Sequence, residues 1–367
     1  MNTIELRSIA SAMVAPGKGI LAADESSSTI KKRFDAIKVE STEENRRFYR
    51  EILFTAKGCE KYVSGVILYD ETMRQSASDG TPFPKLLASK GIVPGIKVDT
   101  GAKDLPGFKG EKITEGLDGL RERLIEYHKL GARFAKWRAV IDVDAVESIP
   151  SDYCLKANAD ALARYAALCQ EQGIVPIVEP EVLMDGSHTL ETCYEVTART
   201  LATVFAELHR ARIDLPGMIL KPNMVIAGKQ CPRQAKSEQI AAETVRCLRQ
   251  HVPSAVPGIV FLSGGQSEQE ATANLSAMNA LGKHPWELSF SYGRALQQST
   301  LDAWRGKKEN KEAAQRAYLH RCKLNGAART GAYKPEMEKE LVTAEERRGR
   351  EPPSARPARR WRRRTGS

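Results

Sequence analysis

Eight short apolar runs recur along the chain, separated by longer stretches with helical spacing. The runs are 19-GILAAD-24, 64-SGVILY-69, 92-IVPGIKV-98, 133-RFAKWR-138, 174-IVPIVE-179, 217-GMILK-221, 259-IVFLS-263 and 288-LSFSY-292. Each has strand length, and most are bounded by glycine or proline. Their apolarity is too continuous for strands with one wet face. Helical patterns lie between them, at 41–57, 116–130, 156–172, 189–211, 236–250 and 267–281. The first opens with 41-STEE-44, which reads as a capping box. Strands buried on both faces and alternating with helices predict a parallel sheet, and eight such units predict a closed (β/α)8 TIM barrel, an α/β fold. An open doubly wound sheet is the alternative. It would show a glycine fingerprint after its first strand, where this chain has 22-AADESSST-29. No linker interrupts the pattern, so one domain is expected over 1–337. A polar helix is expected over 302–326, stopping at Gly326. The remainder, 338–367, is rich in arginine and proline and is expected to be a disordered basic tail.

Charge changes the picture only through its location. The chain carries a net +10, but 347–367 holds nine arginines and one acid, leaving about +2 for everything else. A nearly neutral body argues against a basic nucleic-acid-binding fold, and nucleic-acid binding by the tail is not expected. The 41% hydrophobic content suffices for a large core. No apolar run is long enough to span a membrane, and MNTIELRSIA lacks a basic start followed by an apolar run, so a cytoplasmic location is expected. Seven cysteines occur without a CxxC spacing, and six histidines are scattered. Neither a disulfide framework nor a zinc site is expected.

Candidate chemistry follows from position. Polar residues stand at or just past the ends of seven runs: Asp24, Lys97, Lys136, Glu179, Lys221, Ser263 and Arg294. In a (β/α)8 barrel those ends converge on one mouth. Strands often end in polar residues where they meet solvent, but three lysines lie inside apolar runs, in GIKVD, FAKWR and ILKPN. A desolvated lysine, particularly one beside another cation, loses its proton and attacks carbonyls. Lys221 and Lys136 form such a pair, with either as the amine. Glu179 and Asp24 supply carboxylates for acid–base steps, and Glu181 is a further candidate. Two phosphate sites are expected. One combines 262-LSGGQS-267, a glycine turn opening a helix, with 291-SYGRAL-296. The other uses the hydroxyls of 24-DESSSTIKKRF-34 with Lys32 and Arg33. The pattern predicts a lysine-imine enzyme acting on a phosphorylated carbonyl compound.

The stretches 16-PGKGILAADES-26, 70-DETMRQSASDGTPFPKLLASKG-91, 173-GIVPIVEPE-181, 220-LKPNM-224, 261-FLSGGQSEQEA-271 and 289-SFSYGRALQ-297, with those above, resemble class I fructose-bisphosphate aldolase. The resemblance runs from about residue 9 to 334. It implies a homotetrameric barrel that reversibly cleaves fructose 1,6-bisphosphate to dihydroxyacetone phosphate and glyceraldehyde 3-phosphate, in glycolysis and gluconeogenesis. Its partners are small-molecule sugar phosphates, and its chemistry uses a covalent lysine imine with no metal or other cofactor. By this resemblance Lys221 is the Schiff-base lysine, Glu179 the proton acceptor and donor, Lys136 the lysine assisting imine formation, and Asp24 the carboxylate beside the C4 hydroxyl. Ser263, Gly264, Gly265, Ser291 and Arg294 match one phosphate site; Lys97, Arg33 and Ser26 match the other. Arg46 and Arg138 match further basic positions near the site. Two other lysine-imine barrels, transaldolase and deoxyribose-phosphate aldolase, fit less well with phosphate candidates at both ends. One departure stands out. Family members typically end in a tyrosine that assists proton exchange, whereas the last tyrosine here is Tyr333. Slower turnover on the bisphosphate is therefore expected.

Overall fold

A computed structural model of the protein describes residues 3–144 and 146–339. Contacts divide the chain into a unit spanning Met1–Tyr333 and a second spanning Lys334–Ser367. In the second, the described residues form a single 3-10 turn, Pro335–Lys339. The expectations for the rest of the tail fall on 340–367, outside the described residues.

All eight expected strands are present in the first unit. They are β1 (Gly19–Ala23), β2 (Val63–Leu68), β3 (Val93–Lys97), β6 (Phe134–Ile141), β7 (Val175–Val182), β8 (Ile219–Leu220), β9 (Gly258–Phe261) and β10 (Glu287–Tyr292). Every pairing is parallel, and the order β1-β10-β9-β8-β7-β6-β3-β2 closes into a barrel. An antiparallel hairpin, β4 (Gly101–Asp104) with β5 (Lys112–Glu115), follows β3. Sequence periodicity does not reveal it, because its strands are short, polar and largely exposed.

Alternation along the strands sorts side chains into two cores. Ile20, Ala22, Ile67, Phe134, Val175, Ile177, Ile219 and Val260 fill the barrel interior. Their strand neighbours, among them Leu21, Ala135, Trp137, Val178 and Leu220, join the core beneath the surrounding helices. The interior core is closed from below by α1 (Thr3–Met13), whose Leu6, Ala10 and Met13 are buried and pack into it. The Phe134 ring occupies the space of a side chain at Gly95, whose Cβ would lie 2.3 Å from it. Glycine is required there because the barrel cannot hold both.

The remaining helices are α2 (Ser27–Ala36), α3 (Glu43–Thr55), α4 (Asp70–Met73), α5 (Phe83–Ser89), α6 (Leu120–Lys129), α7 (Asp152–Glu171), α8 (Leu190–Arg210), α9 (Ser237–His251), α10 (Glu268–Ala280), α11 (Arg294–Trp304) and α12 (Lys311–Ala328). Two local expectations are corrected. Thr42, not Ser41, caps α3: its hydroxyl accepts from the Asn45 N–H at 3.2 Å, one residue later than a 41-STEE-44 box requires. The single helix expected over 302–326 is two, α11 and α12. The chain breaks where Arg305 (φ +50°) and Gly306 (φ +74°) adopt left-handed backbone. Gly326 does not stop α12 but lies inside it. A Cβ there would sit 2.6 Å from the Tyr62 ring, so this glycine admits a close neighbour.

Candidate active site

The strand parity that builds the interior core also builds the site one layer higher. On β6 the inward series is Phe134, Lys136, Arg138. On β7 it is Ile177, Glu179, Glu181, and on β8 it continues from Ile219 to Lys221. On β1 it runs Ile20, Ala22, Asp24. Apolar residues fill the lower layers, and the last inward positions carry charge. They line a cavity of about 350 Å³ at the C-terminal mouth of the barrel. Its walls include Ser26, Arg33, Lys97, Ser263, Gly264, Gly265, Ser291 and Arg294.

The charges on the floor are interlocked. Lys221 Nζ lies 3.0 Å from Glu179 Oε1, and Lys136 Nζ lies 3.4 Å from the other carboxylate oxygen. Lys136 also pairs with Asp24 at 2.8 Å and approaches Asp99 at 3.9 Å. Lys136, Glu179 and Lys221 are each no more than 4% exposed. Burial alone would raise both carboxylates. For Asp24, Lys136, Lys221 and Lys97 outweigh it and hold the group below its ordinary range. For Glu179, Lys221, Lys136 and Arg138 do the same. Burial alone would lower Lys136, but Asp24, Glu179 and Asp99 outweigh it and raise its pKa. Three carboxylates thus favour the charged form of Lys136, the opposite of the lowering that burial alone would give. Among the described residues, Lys221 makes its one ion pair within 4 Å with Glu179.

The upper walls are built differently. After β9, Gly264 and Gly265 adopt φ of +55° and +79°, a turn closed by the Gln266 N–H donating to the Ser263 carbonyl at 3.0 Å. This turn leads into α10, whose N-terminus Ser267 and Glu270 close with a reciprocal capping box. After β10, Arg294 opens α11 and is exposed, with no ion pair among the described residues. Ser291 is 1% exposed, and its hydroxyl has no hydrogen-bond partner among the described residues. The glycine turn, the Arg294 guanidinium and the Ser291 hydroxyl, all from the first expected phosphate set, thus line one corner of the cavity.

The second phosphate set is less uniform. Lys97 pairs with Asp99 at 3.1 Å, and the Ser26 hydroxyl shares hydrogen bonds with Ser28 and Thr29. Arg33 pairs with buried Glu25, and its Nη2 lies 3.5 Å from the point where a Cβ on Gly293 would sit. It therefore borders the Ser291–Arg294 corner, and the two sets meet at this residue. Lys32, on the same helix, is exposed and does not line the cavity. Arg138 lines the cavity and pairs with Glu181. Arg46 is not brought there: its guanidinium forks onto Glu71 and reaches the Ser41 carbonyl.

Two carboxylates were missed. Glu25 accepts from Arg33, from Arg50 at 2.6 Å and from Gln297 at 3.1 Å. Burial would raise it, but Arg33 and Arg50 outweigh that and lower it. Asp99 accepts from Lys97 and from the Arg138 N–H at 3.3 Å. Its signal was parity, since it stands two positions beyond Lys97.

A family model described as fructose-bisphosphate aldolase class-I matches residues 5–348. This chain belongs to that family. A Dictyostelium discoideum fructose-bisphosphate aldolase is 56% identical over 330 residues, 90% of this chain and 92% of that protein. The Toxoplasma gondii fructose-bisphosphate aldolase 1 is 54% identical over 90% of this chain and 91% of its own length. Among solved structures, a ternary co-crystal structure of the Plasmodium falciparum fructose-bisphosphate aldolase, in complex with TRAP and a small-molecule inhibitor, superposes with a TM-score of 0.89. It is 52% identical, covering 90% of this chain and 95% of that one. Class-I aldolases work through a Schiff-base lysine rather than a metal ion. The family's reaction is the reversible cleavage of fructose 1,6-bisphosphate in glycolysis.

Proposed function

We propose that this chain cleaves fructose 1,6-bisphosphate at the floor of the barrel mouth, with Lys221 as the imine-forming residue. The observation that carries the reading is the contact of the Lys221 amine with Glu179 at 3.0 Å, in a site where Lys136 is already committed to carboxylates. Glu179 takes a proton from Lys221, and the free amine adds to the C2 ketone. Lys136, an ammonium beside Asp24 and Glu179, donates the proton that lets the carbinolamine lose water and takes up the proton held by Glu179, which is a carboxylate again. The protonated imine then draws electrons from the C3–C4 bond. As that bond breaks, Asp24 or Glu179 takes the C4 hydroxyl proton and glyceraldehyde 3-phosphate departs. The enamine left on Lys221 is protonated at C3, and water releases dihydroxyacetone phosphate.

One substrate phosphate is assigned to Ser263, Gly264, Gly265, Ser291 and Arg294, and the other to Lys97, Ser26 and Arg33. The domain is taken as 1–337, with 338–367 as a separate tail. A homotetramer is proposed from the family resemblance and is testable by light scattering. No helix among the described residues is long and apolar enough to cross a membrane, which agrees with a proposed cytoplasmic location.

Borohydride reduction in the presence of dihydroxyacetone phosphate, followed by peptide mapping, tests the mechanism. The reduced three-carbon adduct is expected on Lys221. An adduct on Lys136, or protection by a chelator, overturns it.

A further inference from the structure

A second cavity, of about 660 Å³, lies beside the first, and Gly265 lines both. Lys229 lines the second. It stands in the segment between β8 and α9, eight positions beyond Lys221. Its backbone is laced to the segment between β7 and α8. The Lys229 N–H donates to the Met184 carbonyl at 2.8 Å, the Gly228 N–H to His188 at 2.9 Å and the Gln230 N–H to Gly186 at 2.9 Å. Gly228 permits this approach, since a Cβ there would lie 2.3 Å from the Gly186 carbonyl oxygen. The root of the Lys229 side chain is therefore fixed.

Its tip reaches the glycine turn. The position of a Cβ on Gly265 is 2.6 Å from Lys229 Nζ and 3.2 Å from Arg294 Nη2. Both cations thus sit on the same side of the turn, over the side chain that glycine lacks. They are separated by less than about 6 Å, well inside one Debye length, so they repel unless an anion lies with them. Among the described residues, no carboxylate pairs with Arg294, and Lys229 pairs with Asp185 alone, at 3.3 Å; the Lys229 and Asp185 side chains are 44% and 69% exposed. Such an exposed pair is weak and readily exchanged.

We propose that Lys229 is a second cation of the phosphate subsite at 263–265, acting with Arg294 across Gly265. Asp185 holds the amine when the subsite is empty and competes with phosphate for it. The inference rests on the aldolase reading for the identity of the ligand, a sugar-phosphate dianion. Because only one end of the bisphosphate meets this turn, Lys229 acts on one triose phosphate and not the other.

The test is aldol condensation measured separately for dihydroxyacetone phosphate and glyceraldehyde 3-phosphate. Lys229→Met is expected to raise the KM for one of them roughly tenfold, the other staying within about twofold, with kcat little changed. Asp185→Asn is expected to lower that same KM, and to have no effect once Lys229 is Met. Equal rises for both substrates, no rise for either, or a higher KM in Asp185→Asn overturns the proposal. Wild-type turnover tests the aldolase reading separately. If the wild type forms no product, competition between inorganic phosphate and each variant's binding of the two triose phosphates still decides the role of Lys229.

Discussion

On the floor of the mouth, each cation is borne on or just past a barrel strand and meets an opposite charge. On the rim at 263–265 and 291–294, the groups come from a turn, the end of β10 and a helix start, and two of them have no partner among the described residues. Lys136 faces three carboxylates, and Lys221 shares Glu179 with it. Among the described residues, Arg294 and the Ser291 hydroxyl face none. The contrast follows from what each region must do. Proton transfer requires donors and acceptors already at contact distance, so the floor pairs its charges. Anion binding requires unsatisfied donors, so the rim leaves them open and lets the ligand complete them.

The sharpest way to break the comparison is to remove the nucleophile. Lys221→Met is expected to reduce cleavage by roughly 10⁴-fold or more while the far-UV circular dichroism is retained, because Lys136 still answers Glu179. Turnover near the wild-type rate in a coupled dehydrogenase assay would show that the floor is only a structural ion cluster. Glu179→Gln comes next. It keeps the shape but leaves two lysines short of a carboxylate, and kcat is expected to fall by roughly 10²- to 10⁴-fold. Its thermal midpoint should fall too, since a buried charge loses its partner. A rise in KM alone would place Glu179 on the binding side of the division.

The floor was legible in the sequence because charge inside an apolar run is costly and has few innocent explanations. Lys136 in FAKWR and Lys221 in ILKPN mark themselves, and strand parity then puts them on one surface. The barrel was legible for a related reason: strands buried on both faces read as unbroken apolar runs. What escaped depended on packing between distant segments. Glu25 matters because Arg50 on α3 and Gln297 on α11 converge on it. Arg46 entered as a site residue through the family resemblance alone, and its pairing with Glu71 shows only in the structure. Lys229 is invisible as a phosphate neighbour until two loops are laced together. The break between α11 and α12 hinges on two left-handed residues, Arg305 and Gly306, only one of which is glycine.

On the rim, Arg294→Ala sharpens the comparison. It is expected to raise KM for the bisphosphate about tenfold, with kcat changed by less than about threefold and no loss of thermal stability. A fall in kcat without a change in KM would move Arg294 to the floor.

The smallest effect is the most discriminating, because it separates the regions by pH. Asp24 is held below the ordinary carboxylate range by Lys136 and its neighbours, against burial. A depressed carboxylate stabilises the fold fully above the unfolded-state value of about 4, and the contribution is lost as pH falls through the lower folded value. Asp24→Asn removes that contribution. The gap in thermal midpoint between it and the wild type is therefore expected to be a few degrees, roughly, at neutral pH and to close as pH falls below about 4. Arg294→Ala, which touches no depressed carboxylate, is expected to track the wild type throughout. A gap for Asp24→Asn that stays constant down to pH values near 3 would mean that Asp24 draws nothing from the lysines, and the charge pairing on the floor would no longer explain why this carboxylate tolerates burial.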